Sequence, residues 1–205
     1  MDISFAKGAN WQEHLFYAYT FRFKDTPLFT QLEDCITTAV NPTHREGYDN
    51  VSLLSKQVHS LGVTVTTHCS FNGYGCPEII LVEKPEQCDD GAVRYGACYE
   101  IIPWKNGINV WRHYRDADGR CHWHLRLGLT FPVEEDKLHE MSVQVLDKQL
   151  HITLDGMKTV LRTEDLPENF HVGITGCEGI ARFYDMQILP AEGPVQRLQD
   201  REPSI

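Results

Sequence analysis

Apolar residues along this chain recur at every second position, segment after segment, and almost nowhere keep the three-and-four spacing of a helix over a helix's length. A period of two sends alternate side chains to opposite faces of an extended strand, so a chain written this way buries its apolar half by stacking sheets. The fold class is all-β. In the first run Leu15, Tyr17, Tyr19, Phe21 and Phe23 fall on one side, with His14, Thr20, Arg22 and Lys24 on the other. Thr26 to Gly47 is less regular, and a short helix is predicted around Leu32–Cys35. Further strands are predicted over 50–56, 62–71, 78–83, 96–104, 109–114, 122–129, 139–146, 151–154 with 158–161, 170–175 and 180–189. Lys105-Asn106-Gly107, Asp118-Gly119, Asp147-Lys148 and Asp155-Gly156 supply the reversals, since Asn, Asp and Gly tolerate the positive φ of tight turns. More than eight strands at this spacing make a sandwich or barrel. One domain is expected over 1–190, with a polar C-terminal tail over 191–205.

Composition narrows the partners. A chain of 205 residues is about one large domain, whose core buries roughly 70% of the unfolded surface. Its aromatic and β-branched content argues against disorder. With 19 Lys+Arg against 29 Asp+Glu, the formal charge is −10, which disfavours nucleic acid and anionic membranes as partners. No apolar run approaches the ~20 residues of a membrane span. Met1 to Asn10 carries Asp2 and Lys7 and lacks the apolar core of a secretory signal. Seven cysteines without a CxxC pair read as reduced, mostly core thiols, so a cytoplasmic location is expected.

The densest polar pattern runs from Asn109 to Arg126. Alternation groups Asn109, Trp111, His113 and Arg115 on one face of a strand, and His122, His124 and Arg126 on one face of the next. If the faces coincide, Trp111 offers a platform for the C–H side of a sugar ring while His and Arg reach its hydroxyls. The plain alternative is a solvated sheet face. His122 and His124 share a side at chelating spacing, and His68-Cys69 and His113 add metal-capable groups, but no closed tetrahedral zinc set is visible. Glu100, with Glu78 and Glu178, is a candidate buried or groove-facing acid, and His113, His124 or Tyr114 fit a base by type. No Gly-x-Ser-x-Gly elbow or phosphate loop is present; Gly73-Tyr74-Gly75 reads as a rim loop where Tyr74 touches ligand.

Two stretches resemble a known superfamily. His139 to Gly156, a strand followed by a second ending in an Asp-Gly turn, and Phe170 to Ile188, a Gly173-Ile174 strand, a glycine-bearing turn and Phe183-x-Asp185-x-x-Ile188, are similar to segments of concanavalin A-like (laminin-G-like) jelly rolls. That resemblance implies a two-sheet antiparallel jelly-roll sandwich with one concave sheet and a glycan across it. Its members include lectins, glycoside hydrolases, polysaccharide lyases, carbohydrate-binding modules and keto-sugar hydrolases. It also implies structural calcium, with Asp185 as the matching metal ligand. The superfamily's Glu-x-Asp-x-(x)-Glu glucanase strand is missing: Glu134-Glu135-Asp136 continues into Lys137, Leu138 and His139. Three readings follow. The first is a carbohydrate- or glycoside-binding protein with His68, Tyr74, Asn109, Trp111, His122 and Arg126 as ligand contacts. The second is a cytoplasmic hydrolase or lyase of small glycosides, oxidised ones included, with His113, His124 and Glu100 catalytic. The third is an assembly subunit that self-associates as a homo-oligomer or serves a partner enzyme.

Overall fold

The computed structural model describes residues 1–19, 29–38, 51–89 and 91–191. In chain order the strands are β1 (Asp2–Ser4), β2 (Leu15–Tyr19), β3 (Thr30–Gln31), β4 (Ile36–Thr37), β5 (Val51–Ser60), β6 (Val63–Asn72), β7 (Cys76–Val82), β8 (Pro85–Gln87) and β9 (Val93–Tyr95). They continue as β10 (Cys98–Trp104), β11 (Gly107–Arg115), β12 (Cys121–Thr130), β13 (His139–Leu146), β14 (Gln149–Leu154), β15 (Met157–Arg162), β16 (Asn169–Cys177), β17 (Ile180–Phe183) and β18 (Asp185–Pro190). One turn of 3-10 helix, Trp11–Glu13, precedes β2.

Two sheets stack. The first runs β15-β14-β13-β6-β17-β4-β3, with β18 lying on β6 beside β17 and β1 lying on β18; the second runs β12-β11-β10-β7-β16-β5-β2-β9-β8. Pairing is antiparallel apart from one parallel bridge between Tyr19 and Arg94. The inward halves of the alternating strands meet in one core: Val65, Val143, Ile152, Phe183 and Ile188 from the first sheet, Leu53, Ile79, Leu81, Tyr99, Ile101, Val110, Val172 and Ile174 from the second. Each such side chain contributes roughly 1.5–3 kcal/mol on leaving water, which makes register a property of the core.

The hairpins at 147–148 and 155–156 form as the turn residues demand, with Lys148, Asp155 and Gly156 at positive φ. Leu15 and Tyr17 of the first strand face the core, while Phe21 and Phe23 lie outside the described residues, as does the tail beyond Ala191. The helix expected at Leu32–Cys35 is replaced by a reversal between β3 and β4, closed by the Leu32 N–H donating to the Cys35 carbonyl at 2.8 Å. So short a segment closes one strand pair more readily than it nucleates a helix. All seven cysteines are free thiols. Among the described residues no helix is long and apolar enough to cross a membrane.

The chain passes between the sheets twice at one end, from β6 to β7 through Gly73–Gly75 and from β16 to β17 through Glu178-Gly179. These crossovers touch backbone to backbone. A Cβ on Gly75 would lie 2.1 Å from the Ile180 carbonyl oxygen, and one on Gly179 would lie 2.3 Å from the Gly75 nitrogen. Gly75→Ala or Gly179→Ala is therefore expected to cost roughly 1–3 kcal/mol, the usual scale of overpacking, read as a lowered urea midpoint. Gly128→Ala, whose new methyl meets nothing closer than 3.6 Å, is expected to leave the midpoint within about 0.5 kcal/mol.

Candidate functional site

The outer face of the second sheet holds the site. Because Tyr99 and Ile101 of β10 point into the core, the pleat turns Cys98, Glu100, Ile102 and Trp104 outward. On β7, Ile79 and Leu81 point inward, so Glu78, Ile80 and Val82 point out. The Lys105-Asn106 turn sets Cys98 opposite His113, Glu100 opposite Trp111 and Ile102 opposite Asn109. On the other flank Glu78 opposes Thr175, which opposes Ser52 and shares a 2.6 Å hydrogen bond with its hydroxyl.

At the centre of this face two acids are buried. The excursion that begins at Glu83 and ends at Ala97 leaves the sheet at β7, adds β9 and β8 beside β2 and returns at β10; on the way Val93 packs against Ala18, Leu54, Ile80, Val82 and Cys98. Glu78 is 1% exposed and Glu100 3%. His113 Nε2 stands 2.7 Å from Glu100 Oε2. Glu78 Oε2, Glu100 Oε1 and Trp104 Nε1 are buried with no hydrogen-bond partner among the described residues. Burial, then the charges of Glu100 and Glu178, push the Glu78 carboxyl well above the usual carboxylate range. Two acids thus sit on adjacent strands in diagonal register, a Cα separation of roughly 7–8 Å, one biased toward its neutral form and the other held by an imidazole.

The edge strand β12 corrects the expected grouping. His113 opposes Trp123, Trp111 opposes Leu125, Arg112 opposes His124 and Tyr114 opposes His122. Trp123 and Leu125, both exposed, join Trp111 and His113 on the outer face, while His122, His124 and Arg126 turn to the other side. The physical reason is the loop before β12. Asp116 Oδ1 accepts the N–H groups of Asp118 (3.0 Å) and Arg120 (2.9 Å), and its Oδ2 lies 2.8 Å from His122 Nε2, which locks the turn one residue out of phase with the expected face. His122 stacks on Tyr114, and His124 meets the same ring edge-on. A bulge between Val110 and Trp111 then aims Arg126 at Thr163 (3.0 Å) and Asp165. Trp123 and Leu125 were legible as the alternate set of the same period-two run; the phase was not.

Beneath the face lies a buried cation. Arg112 donates to the carbonyls of Cys98 (3.3 Å) and His113 (3.0 Å), and pairs with Asp165 at 3.2 Å and Glu83 at 3.5 Å. It thereby ties together the two strands that carry Cys98, Glu100 and His113. For Asp165, burial raises the carboxyl, but hydrogen bonds from Thr163, Tyr99 and Arg112 and the charge of Arg126 outweigh it and hold the group at about 2.

The remaining expected residues are dispersed. Asn109 lies on the outer face beside Gly128. Tyr74, exposed in the crossover before β7, lies at one end of the sheet with Lys105 Nζ 4.4 Å above its ring. His68 belongs to β6 of the opposite sheet and is separate from the site. Its backbone N–H and Nδ1 engage the Asp185 carboxylate at 2.9 and 2.8 Å, and its Nε2 lies 3.5 Å from Glu140. Asp185 therefore faces nitrogen donors. Its carboxylate is engaged by His68, and calcium there would need further oxygens to reach its six to eight. Among the described residues the His122–His124 pair forms no group of three metal-capable side chains, His122 being engaged by Asp116. Among the described residues the metal-capable constellation is Cys98, Glu100 and His113, whose donor atoms all lie within 4.8 Å of one another.

No family model and no curated protein matches the chain. Solved structures do. The carbohydrate-binding module CBM66 from Bacillus subtilis superposes with a TM-score of 0.52 at 13% identity, over 74% of this chain and 94% of that one. A structure from work on endo-acting O-glycanases, expressed by prominent members of the human gut microbiota to initiate mucin breakdown, gives 0.66 at 12% identity, over 93% and 98%. β-Agarase A from Zobellia galactanivorans gives 0.63 at 10% identity, over 92% and 89%. The chain has the concanavalin A-like jelly-roll fold. In this jelly roll the face with the buried acids is built by two strands from the middle of one sheet, β7 and β10, and by the edge hairpin β11–β12 that follows them.

The Arg112–Asp165 network is testable through stability. The folded-state pKa of Asp165 lies below the roughly 3.9 of an unfolded aspartate, so its contribution is complete above pH ~4 and disappears as pH falls toward about 2. Asp165→Asn is expected to lower stability at pH 7 by roughly 1–3 kcal/mol, the scale for under-satisfying a buried charged donor. It is also expected to flatten the acid limb over that window, as followed by chemical denaturation across pH.

Proposed function

We propose that the outer face of the second sheet binds a carbohydrate and that the protein acts on a glycosidic linkage there. The observation that carries this reading is the pair of buried carboxyls, Glu78 and Glu100, side by side on a face bordered by Trp104, Trp111 and Trp123. Buried acids with unpartnered oxygens are costly, and such groups are kept where a ligand's donors complete them. Sugar hydroxyls are donors of this kind. Trp111 and exposed Trp123 offer apolar platforms for the C–H face of a sugar ring, leading inward from the sheet edge to the acids.

In this reading Glu78, favoured in its neutral form, protonates the departing glycosidic oxygen. Glu100, oriented by His113, is the partner that assists attack at the sugar carbon. Of the residues first considered for catalysis, Glu100 and His113 keep these roles, while His124 is replaced by Glu78. Carbohydrate-binding and carbohydrate-cleaving proteins among the superposing structures support the ligand class.

Calorimetric titration against a panel of oligosaccharides is expected to find a binder whose affinity falls roughly tenfold in Trp123→Ala. Glu78→Gln is expected to keep that affinity and to lower turnover of the same saccharide by about 10²–10⁴-fold. Absence of any saccharide binding would overturn the proposal. Binding without turnover in the unaltered protein would reduce it to recognition alone.

A further inference from the structure

Cys98, Glu100 and His113 meet because two simple relations coincide. Cys98 and Glu100 are two positions apart on β10 and so share a face, and the β10–β11 hairpin sets His113 directly opposite Cys98. The three donor atoms lie within 4.8 Å of one another, with Cys98 and Glu100 buried and His113 half-buried. Nothing in the paired-carboxylate chemistry above uses Cys98.

We propose that these three side chains hold a divalent transition-metal ion, zinc being the best match, with a fourth position open on the outer face on the Glu78 side. A thiolate, a carboxylate and an imidazole form a borderline-soft donor set that suits zinc and excludes magnesium and calcium. Three protein ligands and one free position is the pattern of zinc sites that accept water or substrate. The charges also balance: thiolate and carboxylate neutralise the dication, as a site this buried requires. Tetrahedral bonds of 2.0–2.3 Å place donors roughly 3.3–3.8 Å apart, which the present arrangement reaches by side-chain movements of about an ångström.

One further feature points to an occupant. Glu100 Oε1 is buried and has no partner among the described residues, although Oε2 of the same carboxylate is taken by His113. The backbone that carries the three residues is also held in place: Arg112 donates to the backbone carbonyls of Cys98 and His113 from beneath, and the Trp123 ring stacks on the His113 ring at 6.4 Å. His122 and His124, the metal pair suggested by sequence spacing, lie across the sheet from this cluster, with His122 held by Asp116.

The test uses the full chain, stripped with a chelator and titrated with zinc or cobalt(II). One zinc per chain is expected by elemental analysis and calorimetry, and the cobalt form is expected to show a thiolate-to-cobalt charge-transfer band in the near ultraviolet. Cys98→Ser is expected to abolish that band. Glu100→Gln and His113→Ala are expected to weaken zinc binding by more than the roughly 10–100-fold that loss of an outer-shell partner costs, while Cys69→Ser, buried in the core, leaves both readouts unchanged. Circular dichroism identifies variants that fail to fold. For those, the cobalt band and stoichiometry of the unaltered protein decide. Substoichiometric metal, a cobalt spectrum without the thiolate band, or unchanged affinity in folded Cys98→Ser would overturn the site. Saccharide titration of the stripped and zinc-loaded protein separates the two proposals: sugar binding with no metal sinks only the ion, metal binding with no sugar sinks the carbohydrate reading, and metal and sugar together leave Glu100 and His113 as ligands in place of the roles the paired-carboxyl reading gave them.

Discussion

Arg112 sits on the core side of a sheet with its side chain 8% exposed, where an unpaired guanidinium would be strongly destabilising. Asp165, Glu83 and the carbonyls of Cys98 and His113 neutralise it together. That arrangement ties the loop after β15 to the backbones of β10 and β11, the hairpin whose opposite face carries Glu100, His113 and Trp111. A planar donor with five N–H groups in fixed directions suits this task, because it constrains acceptors from separate segments at once. The geometry of the outer face is therefore held from within the molecule by a buried charge.

On that outer face the physical logic is reversed. Inside the sandwich apolar side chains meet apolar side chains, but on this face Glu78 and Glu100 are buried with incomplete hydrogen bonding among the described residues. Ile80 and Cys98 of the apolar cluster with Ala18, Leu54, Val82, Phe16 and Val93 share the face with them. Desolvation and like charge then act together on Glu78. Buried polar atoms without a partner among the described residues also occur at His59 and Asn72, but Glu78 and Glu100 are two acids on neighbouring strands of one face, and it is that pairing that supports the functional reading.

The excursion between β7 and β10 lays an apolar cover on part of this face. It crosses to β2 and packs Val93 against Ala18, Leu54, Ile80, Val82 and Cys98, so that Cys98 and Ile80 lie under apolar side chains while the acids of β7 and β10 lie among them in register. Trp123 and Leu125 are exposed on the β12 edge of the same sheet.

Much of this was legible in the linear chain. Period-two alternation, Asn/Asp-Gly turns and the Phe183-x-Asp185-x-x-Ile188 strand were enough to indicate an antiparallel sandwich, because alternation is a local consequence of the pleat and turn chemistry a local consequence of φ. The residue types on the face were also legible: Glu100, Trp111 and His113 alternate with core residues in plain sight. What could not be read was phase and adjacency. Whether His122 and His124 or Trp123 and Leu125 share a side with His113 depends on one residue of register, decided by the Asp116 turn. His68 and Asp185 alternate as suggestively as any site residue, yet belong to the opposite sheet. The encounters of Glu78 with Glu100 and of Cys98 with His113 arise only when strands are hydrogen-bonded side by side. Sequence alone thus determined that this chain forms stacked sheets with a Trp, His and Glu-bearing face. Tertiary structure decided which of those side chains meet, because strand neighbours are chosen by how the whole core packs and not by any local pattern.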